Sequence, residues 1–259
     1  MKKTLMWCYT GLVLLFLYVP VILVSVYSFN VTRSTTVWGG FSLDWYVKLF
    51  QNASVMKAFT NSLLLALSTT VVATVLGTLG SLGLYRYKTK FGRMISPLTY
   101  IPVLTPEIII GFAFMQLFSY LGMKFGAATL FISHLSFCVP FVLIVVSARL
   151  EDMPRDLEEA ARDLGASRWK AFFTVTLPEI MPGILSGAAL AFVMSFDDVV
   201  ISFFLVGASS TTLPVKVYSM MKVGVSPEIN ALSTVILVIT LTIVCIAQFR
   251  NRNIFKKLI

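Results

Sequence analysis

Several apolar runs in this chain reach the roughly 20 residues that an α-helix needs to cross a lipid bilayer. Hydrophobic residues make up 57% of the chain and charged residues only 13%. We predict about six spans, at residues 5–29, 58–84, 95–121, 127–148, 181–206 and 229–249. No strand periodicity and no repeat at a fixed spacing accompanies them. The sequence therefore predicts an all-α polytopic membrane protein.

The chain is expected to consist of three parts. Residues 1–57 hold the first transmembrane helix and an external loop, residues 58–249 form the main helical core, and residues 250–259 form a basic tail. The first span follows Lys2 and Lys3 and is too long for the apolar core of a cleavable signal peptide. We therefore interpret it as a retained transmembrane helix.

Positive charge shows which side of the membrane each loop occupies. The net charge is +9, but the basic residues stand in short groups beside apolar spans, which argues against a nucleic-acid partner. Most of the 21 Lys and Arg residues fall on the side that holds both termini, the basic loop around residues 86–93 and the segment 149–182. By the positive-inside rule, we predict that this side is cytoplasmic.

The longest charged stretch between apolar runs covers residues 149–182. Pro154 suits a first helical turn, and acidic residues follow it, where the positive end of a helix dipole favours them. Glu158 lies four residues before Arg162, a spacing at which opposite charges support a helix. Gly165 can adopt the left-handed conformation that ends a helix. The pattern predicts a short helix that stops at Gly165.

A second short helix is predicted after this turn. The Ser167 hydroxyl is placed to cap it, and Pro178 and Pro182 are expected to break the helical pattern before the next apolar span. On these residues alone two interpretations stay open. The stretch is either an amphipathic connector on the membrane surface or a docking surface for another protein.

The residue order in this stretch resembles the EAA loop of importer-type ABC transporter permeases. The matching positions are Glu159, Ala160, Ala161, Gly165, Val175, Leu177 and Pro178. The usual pattern has Ile where Val175 stands. The resemblance implies a type I ABC importer permease fold, with residues 58–249 as its permease core. It also implies that the loop couples the membrane helices to a cytoplasmic ATPase, with Ala160 and Ala161 allowing close approach and Gly165 setting the turn.

Three acidic side chains fall within the predicted spans. Asp197 and Asp198 lie inside the fifth span, and Glu107 lies in the third. An Asp at such depth costs roughly 2.5–3.5 kcal/mol and usually faces a partner or an aqueous path. Small or polar residues share one face at near-helical spacing, namely Gly183, Gly187, Ala191, Ser195, Asp198 and Ser202. The acids either pair with groups of a neighbouring subunit or act as transient acceptors for a cationic solute.

Nearly the whole chain resembles the inner-membrane permease subunits of bacterial spermidine/putrescine importers. The matching segments are residues 84–87, 133–141, 160–167, 194–200 and 218–231. The resemblance implies alternating access driven by an ATPase dimer, a second related permease subunit as partner, and a periplasmic polyamine-binding protein. It places Asp198, Asp197 and Glu107 on the solute path. At the position of Glu107, the resemblance leads us to expect the shorter Asp of close relatives, so the charge is kept but the side chain is longer.

The sequence holds no nucleotide-binding or hydrolytic motif. There is no phosphate-binding Gly-rich loop, and the single histidine, His134, supports no Ser-His-Asp grouping. We interpret His134 as a hydrogen-bonding residue between helices. ATP and Mg are expected on a separate ATPase, with no cofactor or metal on this chain. The alternatives are a permease for another solute, a channel or scaffold without an ATPase, and, least supported, a membrane-embedded enzyme.

Overall fold

The computed structural model describes residues 2–33, 37–86, 97–154, 156–224 and 226–255. The chain divides into two compact units, one made of Met1–Met56 with Val217–Ile259 and the other of Lys57–Lys216. Most of the predicted basic loop, with Lys88, Lys90 and Arg93, lies outside the described residues. These two units do not test the three-part division of the sequence, which stays a prediction.

Helices account for most of the described residues. They are α1 (Lys2–Tyr27), α2 (Asp44–Gln51), α3 (Ala53–Arg86), α4 (Ile101–Leu104), α5 (Glu107–Tyr120), α6 (Ala127–Asp152), α7 (Asp156–Asp163), α8 (Arg168–Ala171), α9 (Leu177–Asp197), α10 (Val200–Leu205), α11 (Leu213–Val223) and α12 (Pro227–Phe255). A π-helical turn, Phe172–Thr176, joins α8 to α9. An isolated antiparallel bridge links Asn30 to Phe41.

The apolar helices confirm a multi-pass membrane protein. Within the described residues, four helical stretches are long and apolar enough to cross a bilayer: Leu5–Tyr27, Ala53–Arg86, Ala127–Asp152 and Arg168–Asp197. Glu107–Tyr120 and Pro227–Thr242 are shorter apolar helices at the positions of the third and sixth predicted spans. Pro97, Pro102 and Pro106 in the sequence predict a kinked or unwound start to the third span. The structure shows an interruption there at Pro106, between α4 and α5.

In the first unit, the loop between α1 and α2 folds around Asn30. The Trp45 indole nitrogen of α2 donates to the Asn30 carbonyl oxygen at 2.8 Å, and the Gly39 backbone N–H donates to the Asn30 side-chain oxygen at 2.8 Å. Asn30 and Trp45 are both buried. The Asn52 amide donates to Glu228 at 2.7 Å, which joins the end of α2 to the start of α12. The two bonds to Asn30 satisfy backbone groups that a loop would otherwise leave unpaired.

In the second unit, α6 is the helix on which α3 and α9 pack. A Cβ on Gly77 of α3 would lie 2.7 Å from Val142 Cβ, and one on Gly187 of α9 would lie 3.2 Å from Val142 Cγ1. A Cβ on Gly183 would lie 2.7 Å from Arg149 Cβ. Glycine at these positions therefore permits the close helix approach that stabilises membrane bundles.

Two predictions about the fifth span were wrong. Pro178 and Pro182 do not break the helix, since helical structure continues from Arg168 to Asp197. The π-helical turn stands immediately before α9, and Pro178 lies in the first turn of α9, next to that change in helical pitch. The span is also not continuous to residue 206, because α9 ends at Asp197 and α10 begins at Val200.

Candidate functional site

The predicted two-helix arrangement of residues 149–182 is confirmed. α7 is followed by Gly165 with a φ of +86°, a left-handed conformation that favours glycine. The Ser167 hydroxyl accepts a hydrogen bond from the Lys170 backbone N–H at 3.3 Å, which caps α8. The sequence therefore contained the local signals that shape this segment.

The surface of α7 and α8 combines small, acidic and large apolar side chains. Glu159, Ala160 and Gly165 are exposed, and Ala161 is half-buried. Leu164 is 90% exposed and Trp169 is 75% exposed. Leu164 lies outside the candidate membrane spans, whereas Trp169 lies at the start of the span Arg168–Asp197. At the start of α9, Leu177 is half-buried and Pro178 is exposed.

Glu158 has a different partner from the one that its helical spacing predicted. In the described part of the chain it pairs with Arg86 at the end of α3, at 3.1 Å, rather than with Arg162. A second ion pair, between Arg149 of α6 and Glu179 of α9, lies at the other side of the same segment. Partners this far apart in sequence left no local signal.

The three predicted path acids are brought together by packing of α5 on α10. A Cβ on Gly111 of α5 would lie 2.8 Å from the Phe204 ring and 3.2 Å from the Ile201 Cα. Glu107 stands one helical turn before Gly111, within electrostatic range of both Asp197 and Asp198. Glu107 and Asp197 are exposed in the single chain, whereas Asp198 is only 8% exposed.

Asp198 caps α10 at the break between α9 and α10. Its carboxylate accepts hydrogen bonds from the backbone N–H groups of Ile201, at 3.1 Å, and Ser202, at 2.7 Å. His134 Nε2 lies 3.3 Å from the Asp198 Oδ2 atom. The structure thus gives the Asp198 side chain partners within the chain, on α10 and α6, whereas Asp197 next to it remains exposed.

His134 joins α6 to both pieces of the interrupted span. Its Nδ1 lies 2.9 Å from the Ser195 hydroxyl of α9, and its Nε2 lies 3.1 Å from the Ser202 hydroxyl of α10. The His134 side chain is buried. This arrangement confirms the interpretation of His134 as a hydrogen-bonding residue between helices. Its pairing with Asp198, 64 positions away, was not predicted.

Aromatic rings lie next to the acids. Phe196, which precedes Asp197, stacks on Phe192 with ring centroids 5.7 Å apart and meets the Phe59 ring edge-on at 6.2 Å. Among the described residues, no group of three or more His, Cys, Asp or Glu side chains is arranged to hold a metal ion. The site offers carboxylates and aromatic faces, which suit an organic cation.

A comparison with family models decides the class of protein. The model described as "Binding-protein-dependent transport system inner membrane component" matches residues 73–259. The chain belongs to this family. The permease is therefore a membrane component of a transport system, and its matched region includes the acids, the interrupted fifth span and the EAA-like segment.

Two curated relatives of this permease are components of polyamine transport systems. It is 40% identical over 238 residues to the spermidine/putrescine transport system permease protein PotC of Escherichia coli (strain K12), covering 92% of this chain and 90% of PotC. It is 41% identical over 233 residues to the putrescine transport system permease protein PotI of the same organism, covering 86% and 82%. The resemblance found in the sequence is confirmed.

Solved structures of ABC transporters share the fold of this permease. A bacterial alginate ABC transporter, in complex with an alginate pentasaccharide-bound periplasmic protein, matches with a TM-score of 0.72 at 20% identity, covering 98% of this chain and 94% of that one. The MetNI methionine ABC transporter matches with a TM-score of 0.64 at 20% identity, covering 81% and 97%. These likenesses confirm the ABC importer permease fold.

Proposed function

We propose that this chain is the permease subunit of an ATP-driven importer that moves spermidine or putrescine from the periplasm to the cytoplasm. The observation that carries the proposal is the near-full-length identity of about two residues in five to permeases of two polyamine systems. Solute moves by alternating access, and the chain itself hydrolyses no ATP. It lies in the bacterial inner membrane with both termini in the cytoplasm.

The chemistry of the acid site supports a polyamine as solute. A polyamine carries two or three positive charges on a flexible apolar stem. Exposed Glu107 and Asp197 attract the ammonium groups, and the faces of Phe192 and Phe196 contact the methylene stem and its charges. Asp198 adds negative potential from its buried position at the start of α10. Moderate attractions of this kind let the solute bind and leave.

The exposed surface of α7 and α8 supports coupling to a separate ATPase, which holds the ATP and Mg. Glu159 and Ala160 are exposed on α7, Ala161 beside them is half-buried, and Gly165 sets the turn that follows. Leu177 and Pro178 begin α9, so movement of this segment passes directly into the fifth span. The complete assembly contains an ATPase dimer, a second related permease and a periplasmic polyamine-binding protein.

Uptake of labelled spermidine and putrescine tests the solute assignment. Cells lacking the chain should recover uptake when it is restored. Asp197→Asn, at matched membrane abundance, should lower the maximal uptake rate by about fivefold, because one charge attraction of about 1 kcal/mol is removed from the path. Asp44→Asn, which changes an exposed acid of α2, is the control and should restore uptake fully. Restoration that fails for both polyamines would refute the solute assignment.

The turn at Gly165 tests the coupling assignment. Gly165→Ala meets no atom within 4 Å, but it places a side chain at a φ of +86°, which costs about 1–2 kcal/mol. We expect it to reduce copurification of the ATPase subunit from membranes. Gly165→Asn is the matched control, since Asn tolerates the left-handed conformation, and it should retain the ATPase. Equal retention by Ala and Asn would contradict a role for this turn in docking.

A further inference from the structure

We call residues 149–182 the coupling segment, after the function proposed above. Four side chains form a cluster where the end of α3 meets this segment, and we call it the Arg86 cluster. Both carboxylate oxygens of Glu158, in α7, accept hydrogen bonds from Arg86 Nη2 at 3.1 Å. The Thr176 hydroxyl donates to Glu158 Oε2 at 2.8 Å. The Arg86 guanidinium lies over the Phe172 ring, 5.3 Å from its centroid. One ion pair thus connects α3, α7 and the turn that leads into α9.

The cluster has features that distinguish it from an ordinary surface ion pair. The Arg86 and Glu158 side chains are 25% and 22% exposed, so solvent screens them only in part. Thr176 is buried, and the Phe172 ring supports one face of the guanidinium. Each charged group is therefore held by a second contact, which reduces the conformational entropy lost in forming the pair.

The remaining connections of the coupling segment explain why this pair matters. α7 is joined covalently through α8 and the π-helical turn to α9, and Arg149 joins α6 to Glu179 of α9. The Arg149–Glu179 pair does not involve α3, and the π-helical turn meets the end of α3 where the Phe172 ring lies against the Arg86 guanidinium. In the described part of the chain, the Arg86–Glu158 ion pair is the side-chain bridge between α3 and α7.

We propose that Arg86 is a positioning residue that transmits movement of α7 to α3, so that α3 moves together with α9 when the ATPase acts. The proposal rests on the coupling function proposed above. It assigns Glu158 a role different from that of its neighbour Glu159, because Glu158 faces α3 while Glu159 is exposed for the ATPase. Loss of the pair should leave docking intact and make ATP hydrolysis less productive.

The test uses the complete assembly, reconstituted with its second permease, ATPase and binding protein, and measures polyamine taken up per ATP hydrolysed. Arg86→Gln and Glu158→Gln should each lower this ratio by roughly two- to fivefold, in keeping with a partly screened ion pair, while the ATPase still copurifies. Thr176→Val removes one supporting hydrogen bond and should have a smaller effect in the same direction.

Exchanging the two charges of the ion pair distinguishes loss of movement transmitted from α7 to α3 from simple loss of folding. Arg86→Glu combined with Glu158→Arg restores the pair with reversed polarity and should recover most of the ratio that either single change loses. Glu158→Arg combined with Arg162→Glu, the pairing predicted by helical spacing, should not recover it. An unchanged ratio in the Gln variants, or equal behaviour of the two exchanges, would refute the inference. Absence of ATPase from the unmodified assembly would instead refute the coupling function and the inference together.

Discussion

Asp198→Ala should destabilise the folded permease more than most other single side-chain changes, by about 3 kcal/mol. The substitution removes the acceptor for the backbone N–H groups of Ile201 and Ser202 and leaves His134 Nε2 with the Ser202 hydroxyl but without its carboxylate. All of these groups are buried within the helix bundle, where an unpaired donor has no water to replace its partner. Compared with the unmodified chain, we expect a smaller amount of the Asp198→Ala variant in the membrane and a lower melting temperature of the variant in detergent.

Asp197→Ala is the matched control for this effect. It removes a neighbouring carboxylate that is exposed and does not cap α10, so the melting temperature should stay close to that of the unmodified chain. Asp198→Asn keeps one acceptor oxygen and should fall between the two. Equal melting temperatures for Asp198→Ala and Asp197→Ala would show that the cap and the His134 contact do not stabilise the helix break.

Gly77→Val should prevent α3 from packing on α6, at a cost of about 3 kcal/mol. A Cβ at this position would lie 2.7 Å from Val142 Cβ and 3.0 Å from the Leu143 backbone nitrogen. The α6 helix cannot move away from α3 without losing packing contacts on its other side, because α9 packs on Val142 through Gly187. The amount of folded chain extracted in mild detergent measures the effect.

Gly83→Ala is the control in the same helix. A Cβ there meets no atom within 4 Å, and alanine is favoured over glycine in a helix by roughly 0.5–1 kcal/mol. The Ala variant should be recovered in the same amount as the unmodified chain or in a larger amount. Recovery of Gly77→Val at that level would mean that the close approach of α3 and α6 tolerates a side chain.

Local signals in the sequence predicted where most of the membrane helices lie and the shape of the segment at residues 149–182, but they missed the break in the fifth span. Hydrophobic runs of bilayer length identify membrane helices because unpaired backbone groups are costly in lipid. The turn at Gly165 and the cap at Ser167 depend on residues within a few positions of each other, so both could be predicted. The kink at Pro106 could be predicted for the same reason.

The rest of the site depends on residues far apart in the chain. Arg86 and Glu158 are 72 positions apart, and His134 and Asp198 are 64 apart, so helical spacing gave no indication of either pair. The break at Asp198 was missed because no Pro or Gly marks it, and only the tertiary contacts show how the carboxylate satisfies the freed N–H groups. The near-helical spacing of small and polar residues nevertheless predicted one shared face correctly, because all six of these residues are buried in the structure. They are Gly183, Gly187, Ala191, Ser195, Asp198 and Ser202.

The most direct test of the account is polyamine accumulation by proteoliposomes that contain this chain, its second permease and the ATPase, with the binding protein supplied on the external face. The account predicts that spermidine or putrescine accumulates inside only when ATP and the binding protein are both present. Accumulation without ATP would indicate a channel. Active ATP hydrolysis with no uptake of either polyamine would contradict the solute assignment.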